Sequence, residues 1–277
     1  MNPNVSPGST QSACVICTES FTDYGCRTRT RLATGRRGAQ RGRSFWYRAA
    51  VRTCVQPHAG PLPRPGLDAP HLQRHIAWDI GAAEVTRRLS ERLDAPAFLG
   101  NYSRLLIDLN RPIGSEGSMP TRSEDTDIPG NAGVDDTERA RRAAIMFTPF
   151  HDEVARHLDA RQAAGRPTRI VTIHSFTPVF LGESRPWHAG VLYDRAAALG
   201  EAILDGLRVD PSLNVAANVP YVISEDADYA VPIHGDQRGI EAALVEIRQD
   251  LLADETGIEE WAGRMSAAIA HMQEALG

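Results

Sequence analysis

Three stretches of the sequence end in side chains that could meet a ligand. "LLIDLNR" delivers Asp108, Asn110 and Arg111, "IVTIH" delivers His174, and "ALVEIRQ" delivers Glu246, Arg248 and Gln249. Singly, each is ordinary. A histidine after a strand is more often a hydrogen-bonded core residue than a ligand, and a strand-end glutamate is often an ion-pair partner. Three such ends in one parallel sheet would converge on a single crevice, where ligands of open α/β sheets gather. That crevice would hold ionisable groups able to bind an ion or move a proton. A second chemical signal, Cys14-x-x-Cys17, reads as a zinc knuckle or a redox pair. A zinc knuckle needs a second close pair, and Cys26 and Cys54 lie far apart. The simpler reading is a polar segment that happens to carry thiols.

The elements that must position these residues are legible from residue 66 onward. Asp79 to Ala95 has a helical apolar period through Ile80, Ala83, Leu89 and Leu93. Ser103 to Pro112 is a short apolar run stopped by polar residues and a proline, which predicts a strand. The residues from Ile113 to Gly133 form a long loop, of a length typical of lids and binding loops. A helix over 135–165, kinked at Pro149, comes next. Arg169 to Phe176 reads as a buried strand, "AGVLYD" as another, Arg195 to Asp210 as a helix, Ala242 to Asp250 as a strand and the last twenty or so residues as a closing helix. Strands alternating with helices predict an α/β fold with a largely parallel sheet.

Residues 1–65 read differently. The stretch "RTRTRLATGRRGAQRGR", Arg27 to Arg43, has almost no apolar side chains and cannot bury enough surface to offset its ordering entropy. An arginine-rich arm could touch RNA, but few aromatics are interleaved to stack on bases, and the net charge of −5 over 277 residues gives no general case for nucleic-acid binding. No apolar run is long enough to span a membrane, and no apolar signal-peptide core stands at the N-terminus, so a cytoplasmic location is expected. The division is a disordered or out-of-frame segment over 1–65 and an α/β domain over 66–277.

"HIAWDIGAAEV", "SRLLIDLNRP", "IPGN", "VTIHSFTP", "RPWHAGVLYDR" and "VEIRQDL" resemble the N-formylglutamate amidohydrolase family, in order and over residues 66 to 277. The resemblance implies a three-layer α/β fold like that of zinc carboxypeptidases and aspartoacylases, with a mostly parallel or mixed central sheet flanked by helices. It implies hydrolysis of an N-acyl amide on an acidic amino acid, with zinc as cofactor and a small anionic N-acyl amino acid as partner. It makes Glu246 the general acid/base and His174 a metal ligand. Asp79 is a further candidate ligand, or else a cap for the helix after it. Arg111 would hold a substrate carboxylate with its planar fork, with Asn110 and Arg104 beside it.

One part of the family pattern is missing. Relatives carry an apolar strand ending in Cys-Glu/Asp-His-Ala-Ser, and no such motif occurs here. His58 in "PHAG" stands too close to Gly66 and lacks a preceding apolar strand. Synonymous codons for Tyr47–Pro57 can be chosen so that the next reading frame encodes Ile-Val-Leu-Leu-Cys-Glu-His-Ala-Ser-Asn-Arg, a strand followed by the motif. The ligand set is therefore incomplete, and impaired hydrolysis is expected. The alternative is a non-catalytic binding protein for anionic N-acyl amino acids.

Overall fold

Two central strands show why a sheet forms. Thr168–Phe176 and Glu241–Arg248 are runs of Ile, Val, Leu and Ala, buried almost throughout, as strands covered on both faces must be. In the computed structural model, which describes residues 12–17 and 64–277, they lie side by side in a six-stranded sheet. Its strands are β1 (Ser12–Cys17), β2 (Ala97–Leu99), β3 (Thr168–Phe176), β4 (Ala189–Leu192), β5 (Val215–Ala217) and β6 (Glu241–Arg248). Their spatial order is β2-β1-β3-β6-β4-β5. Only the β6–β4 pairing is antiparallel, so the sheet is mixed.

The period-two alternation of each strand divides the core. Val171, Ile173, Ala243, Val245 and Ile247 pack with the helices α1 (Ala82–Leu93), α4 (Ala197–Arg208) and α5 (Glu255–Leu276). Ile170, Ala242 and Leu244 face the other way, onto α3 (Thr148–Ala163) and the run Leu106 to Leu109. His174 and Glu246 continue that second set and sit directly opposite each other in the β3–β6 register. Apolar fill therefore gives way to two ionisable groups at the carboxyl ends of these strands. The expected architecture, a central sheet flanked by helices, is what the chain adopts.

Three differences from the sequence reading have physical causes. Ser103 to Pro112 is not a strand. Its leucines and isoleucine are all buried, but its carbonyls are taken by side chains: Leu105 O by Asn131, Leu106 O by Arg142 and Leu109 O by His151. Its backbone groups are satisfied without a ladder, and the segment forms consecutive turns. The 135–165 helix is interrupted as Pro149 requires, but by a π-helical turn, Ala143–Phe147, between α2 (Asp136–Arg142) and α3. Finally, Ser12–Cys17 lies inside the segment read as disordered or out of frame, yet its backbone stands between β2 and β3. Its six residues "SACVIC" are a short apolar run in a largely polar stretch, too brief to stand out by period. His58, Cys26 and Cys54 lie outside the described residues.

Because β1 joins β2 to the rest of the sheet, deleting residues 1–63 of the full chain is expected to lower Tm by more than about 5 °C, or to prevent folding. Thermal unfolding followed by circular dichroism checks this. An unchanged Tm would mean that the sheet does not depend on that strand.

Candidate active site

The site is built from the ends of β3 and β6 upward. Glu246 is 7 % exposed, and its Oε2 has no hydrogen-bond partner among the described residues. On one side its neighbour in register is His174; on the other it is Gly190 of β4. A Cβ at Gly190 would lie 1.6 Å from the Val219 carbonyl oxygen, so only glycine lets the 218–220 loop close against the strand here. Burial raises the Glu246 carboxyl, the His174 charge lowers it and Asp79 raises it; it is left at about 7. A carboxyl group held there exchanges protons readily at neutral pH.

His174 is itself buried, and its Nδ1 lies 2.8 Å from Asp79 Oδ2. Burial disfavours the imidazolium, but the hydrogen bond and charge of Asp79, with Glu246 nearby, outweigh it and raise His174 above its ordinary value. Asp79 does not cap α1. The cap is Gly81, in a left-handed conformation and without a side-chain bond, while the Asp79 carboxylate turns inward. Its other oxygen accepts from Arg104 at 3.3 Å. Arg104 also grips Asp108 Oδ2 through NH2 at 2.8 Å and Nε at 3.2 Å, tying the Asp79 layer to the turn that follows.

That turn presents Asn110 and Arg111. Asp108 Oδ1 accepts from the Asn110 backbone N–H and fixes the turn. The Asn110 side chain braces the 228–230 segment: its Oδ1 accepts from the Tyr229 and Ala230 N–H groups, and its Nδ2 donates to Asp228 Oδ1 at 3.1 Å. Arg111 directs NH1 to the same Asp228 oxygen at 2.9 Å and to the Ala227 carbonyl. Its Nε and NH2 make no hydrogen bond among the described residues. The Arg111 side chain lines a cavity of about 220 Å³ together with Arg104, His75, Phe176, Phe180 and Tyr221. His75 and the neighbouring Arg74 face Glu124 of the long loop at 3.1 and 3.0 Å.

The structure thus brings Asp79, His174 and Glu246 into one buried cluster with half-buried Arg104 at its edge, and sets Arg111 on the adjoining cavity. Arg248 and Gln249 are not in that cluster. Arg248 pairs with Asp250 and holds the carbonyls of Arg185, Pro186 and Trp187. His188 is a joint between strands, accepting from the Asn214 N–H on Nδ1. Sequence reasoning did not anticipate Asp228, nor the buried pair His151 and His234. His151 Nε2 donates to Leu109 O at 2.9 Å, so its Nδ1 accepts from His234 Nε2, also at 2.9 Å. Burial drives these rings down to about 3 and about 4, so both are neutral at pH 7. Together they support the backbone that carries Asn110 and Arg111.

A catalytic zinc site normally uses three protein ligands. Among the described residues no group of three His, Cys, Asp or Glu side chains is placed to hold an ion. Asp79 fixes the His174 ring as a carboxylate does behind a metal-binding imidazole, an arrangement that would offer one ligand and not three. The described residues alone therefore do not fit a complete zinc site. No helix among them is long and apolar enough to cross a membrane.

The N-formylglutamate amidohydrolase family matches residues 53–253, beginning ahead of the boundary expected at 66. Among solved structures, gene product Atu2144 from Agrobacterium tumefaciens is similar at 33% identity and a TM-score of 0.76, over 97% of this chain and 91% of that one. An N-formylglutamate amidohydrolase from Ralstonia eutropha JMP134 shares the fold at 17% identity and a TM-score of 0.50, over 70% of this chain and 80% of that one. No curated protein matches the chain. The family match spans well over half of the sequence, and this chain belongs to the N-formylglutamate amidohydrolase family of hydrolases.

Proposed function

We propose that this chain acts on the amide of an N-acyl, N-formyl acidic amino acid such as N-formylglutamate, with metal-dependent turnover that is impaired. The observation that carries the reading is Glu246: a buried carboxyl raised to about 7, with one oxygen unpartnered, beside a His174–Asp79 pair and an arginine-lined cavity. As carboxylate, Glu246 takes a proton from the water that attacks the acyl carbon. As acid, it gives that proton to the leaving amine nitrogen, so the amide and water become a free acid and an amine.

Arg111 offers the Nε–NH2 edge of its guanidinium to a substrate carboxylate, while Asp228 and Ala227 O hold the NH1 end and set the angle of the fork. Asn110 and Arg104 are positioning residues. The first locks the Asp228 segment, and the second spans Asp79 and Asp108. His174 would supply one ligand to zinc, with its ring set by Asp79. A full set needs residues beyond those described, and the family's Glu-His-Ala-Ser motif is absent from the sequence, which is the basis for impairment. The same gap favours a second reading, a metal-independent binder of anionic N-acyl amino acids.

Zinc analysis of the purified full chain is expected to give well under one ion per molecule. Calorimetry with N-formylglutamate, with and without added zinc, separates the two readings. Tight zinc-independent binding without turnover selects the binder, and stoichiometric zinc with full turnover refutes impairment.

Glu246→Gln keeps the shape and removes the base. It is expected to cut kcat by about 10²-fold or more while leaving substrate affinity nearly unchanged. If the variant instead unfolds, Glu246 is a structural partner.

Arg111→Lys keeps the charge but replaces a two-point fork by a point charge, so KM for N-formylglutamate is expected to rise about 10-fold. Unchanged KM and kcat would remove Arg111 from the site.

A further inference from the structure

Among the described residues, the cations on the cavity wall and beside it divide into those answered by a carboxylate and one that is not. Arg104 is answered by Asp79 and Asp108, Arg111 by Asp228, Arg74 and His75 by Glu124, and Arg248 by Asp250. Arg185 has no carboxylate partner within 4.0 Å among the described residues. Its only side-chain hydrogen bond among the described residues runs from NH1 to the Tyr221 hydroxyl at 2.9 Å.

Arg185 is nevertheless held in place. Its guanidinium lies over the rings of Phe180, Tyr221 and Phe176, with centroid distances of 4.5, 4.9 and 6.0 Å. Its backbone N–H donates to Pro178 O at 2.8 Å, and its carbonyl accepts from Arg248. Stacking engages the faces of a guanidinium and leaves its in-plane N–H edge for an anion. Because the cage already fixes the side chain, little rotamer freedom remains to be lost when a ligand arrives. The three rings of the cage also line the cavity that Arg104 and Arg111 line. The Tyr221 hydroxyl accepts from Arg185, so its own hydrogen is available to a second acceptor.

We propose that Arg185, with the Tyr221 hydroxyl beside it, is a second carboxylate subsite, so that the cavity selects ligands carrying two carboxylates: one on the outer edge of Arg111, the other on the caged Arg185. This rests on the hydrolase reading above and extends it. The second subsite recognises the acidic side chain of the amino acid, and neutral side chains are discriminated against because Arg185 is then left without an anion.

The test is calorimetry on the full chain with two simple probes, glutarate and butyrate, which differ by one carboxylate. Wild type is expected to bind glutarate at least about 10-fold more tightly than butyrate, the worth of one charge-assisted contact. Arg185→Met should abolish that preference and leave butyrate affinity unchanged. Tyr221→Phe, which removes a single hydroxyl, should reduce glutarate affinity a few-fold and keeps the test valid if the methionine variant does not fold. Equal affinity for both probes in wild type, an unchanged preference in Arg185→Met, or an equal loss on both probes would overturn the subsite. Turnover of N-formylglutamate is followed in a separate assay, so the two ideas fail separately. Dicarboxylate preference lost in Arg185→Met, in a chain that does not act on N-formylglutamate, supports the subsite and counts against the hydrolase. Turnover of N-formylglutamate that is matched by N-formylglutamine and indifferent to Arg185→Met supports the hydrolase and overturns the subsite.

Discussion

The carboxyl group of Glu246, buried against His174 in the next strand, is the interaction around which the rest of the structure is arranged. Two ionisable groups removed from water need compensation, and the fold supplies it in layers. Asp79 holds the imidazole from below at 2.8 Å, and Arg104 holds Asp79 and Asp108 in turn. Glu246 keeps its Oε2 without a hydrogen-bond partner among the described residues. A carboxyl in that position is easier to protonate than one in water, and this is the property that hydrolysis of an amide requires of an acid/base group.

The cavity above the strand ends depends on a second set of polar contacts. Buried Arg142 donates to Asn131 Oδ1 at 2.6 Å and to the carbonyls of Leu106 and Gly130. Asn131 in turn donates to Leu105 O and Pro120 O, so one Asn–Arg pair knots the long loop onto the turn segment that carries Arg104 and Arg111. Asp228 completes the arrangement by engaging Asn110 and Arg111 together. Such networks are effective when every member is satisfied, and here they fix the part of the cavity wall that is built from turns and short elements.

Much of this was legible in the sequence because it is local. The strands carrying His174 and Glu246 read as apolar runs that end in ionisable side chains, and the structure sets these two residues opposite each other. The family resemblance also singled out "IPGN", whose Asn131 is the knot of the loop. What could not be read is what depends on distance along the chain. Asp228 meets Arg111 across 117 positions, and Tyr221 meets Arg185 across 36, with no period or spacing to announce either contact. Ser103 to Pro112 was misread as a strand because apolar content predicts burial but not the partner of each carbonyl. Ser12–Cys17 was missed because six residues in a polar segment give too little pattern to separate a strand from chance.

The most direct test is the titration of Glu246 itself in the full-length protein, followed through the side-chain carboxyl carbon by NMR and assigned with Glu246→Gln. The expected midpoint is about 7, set by burial with one oxygen unpartnered. A midpoint near the ordinary glutamate value of 4.5 would mean that the group is solvated or fully paired, and would contradict its assignment as the acid/base group.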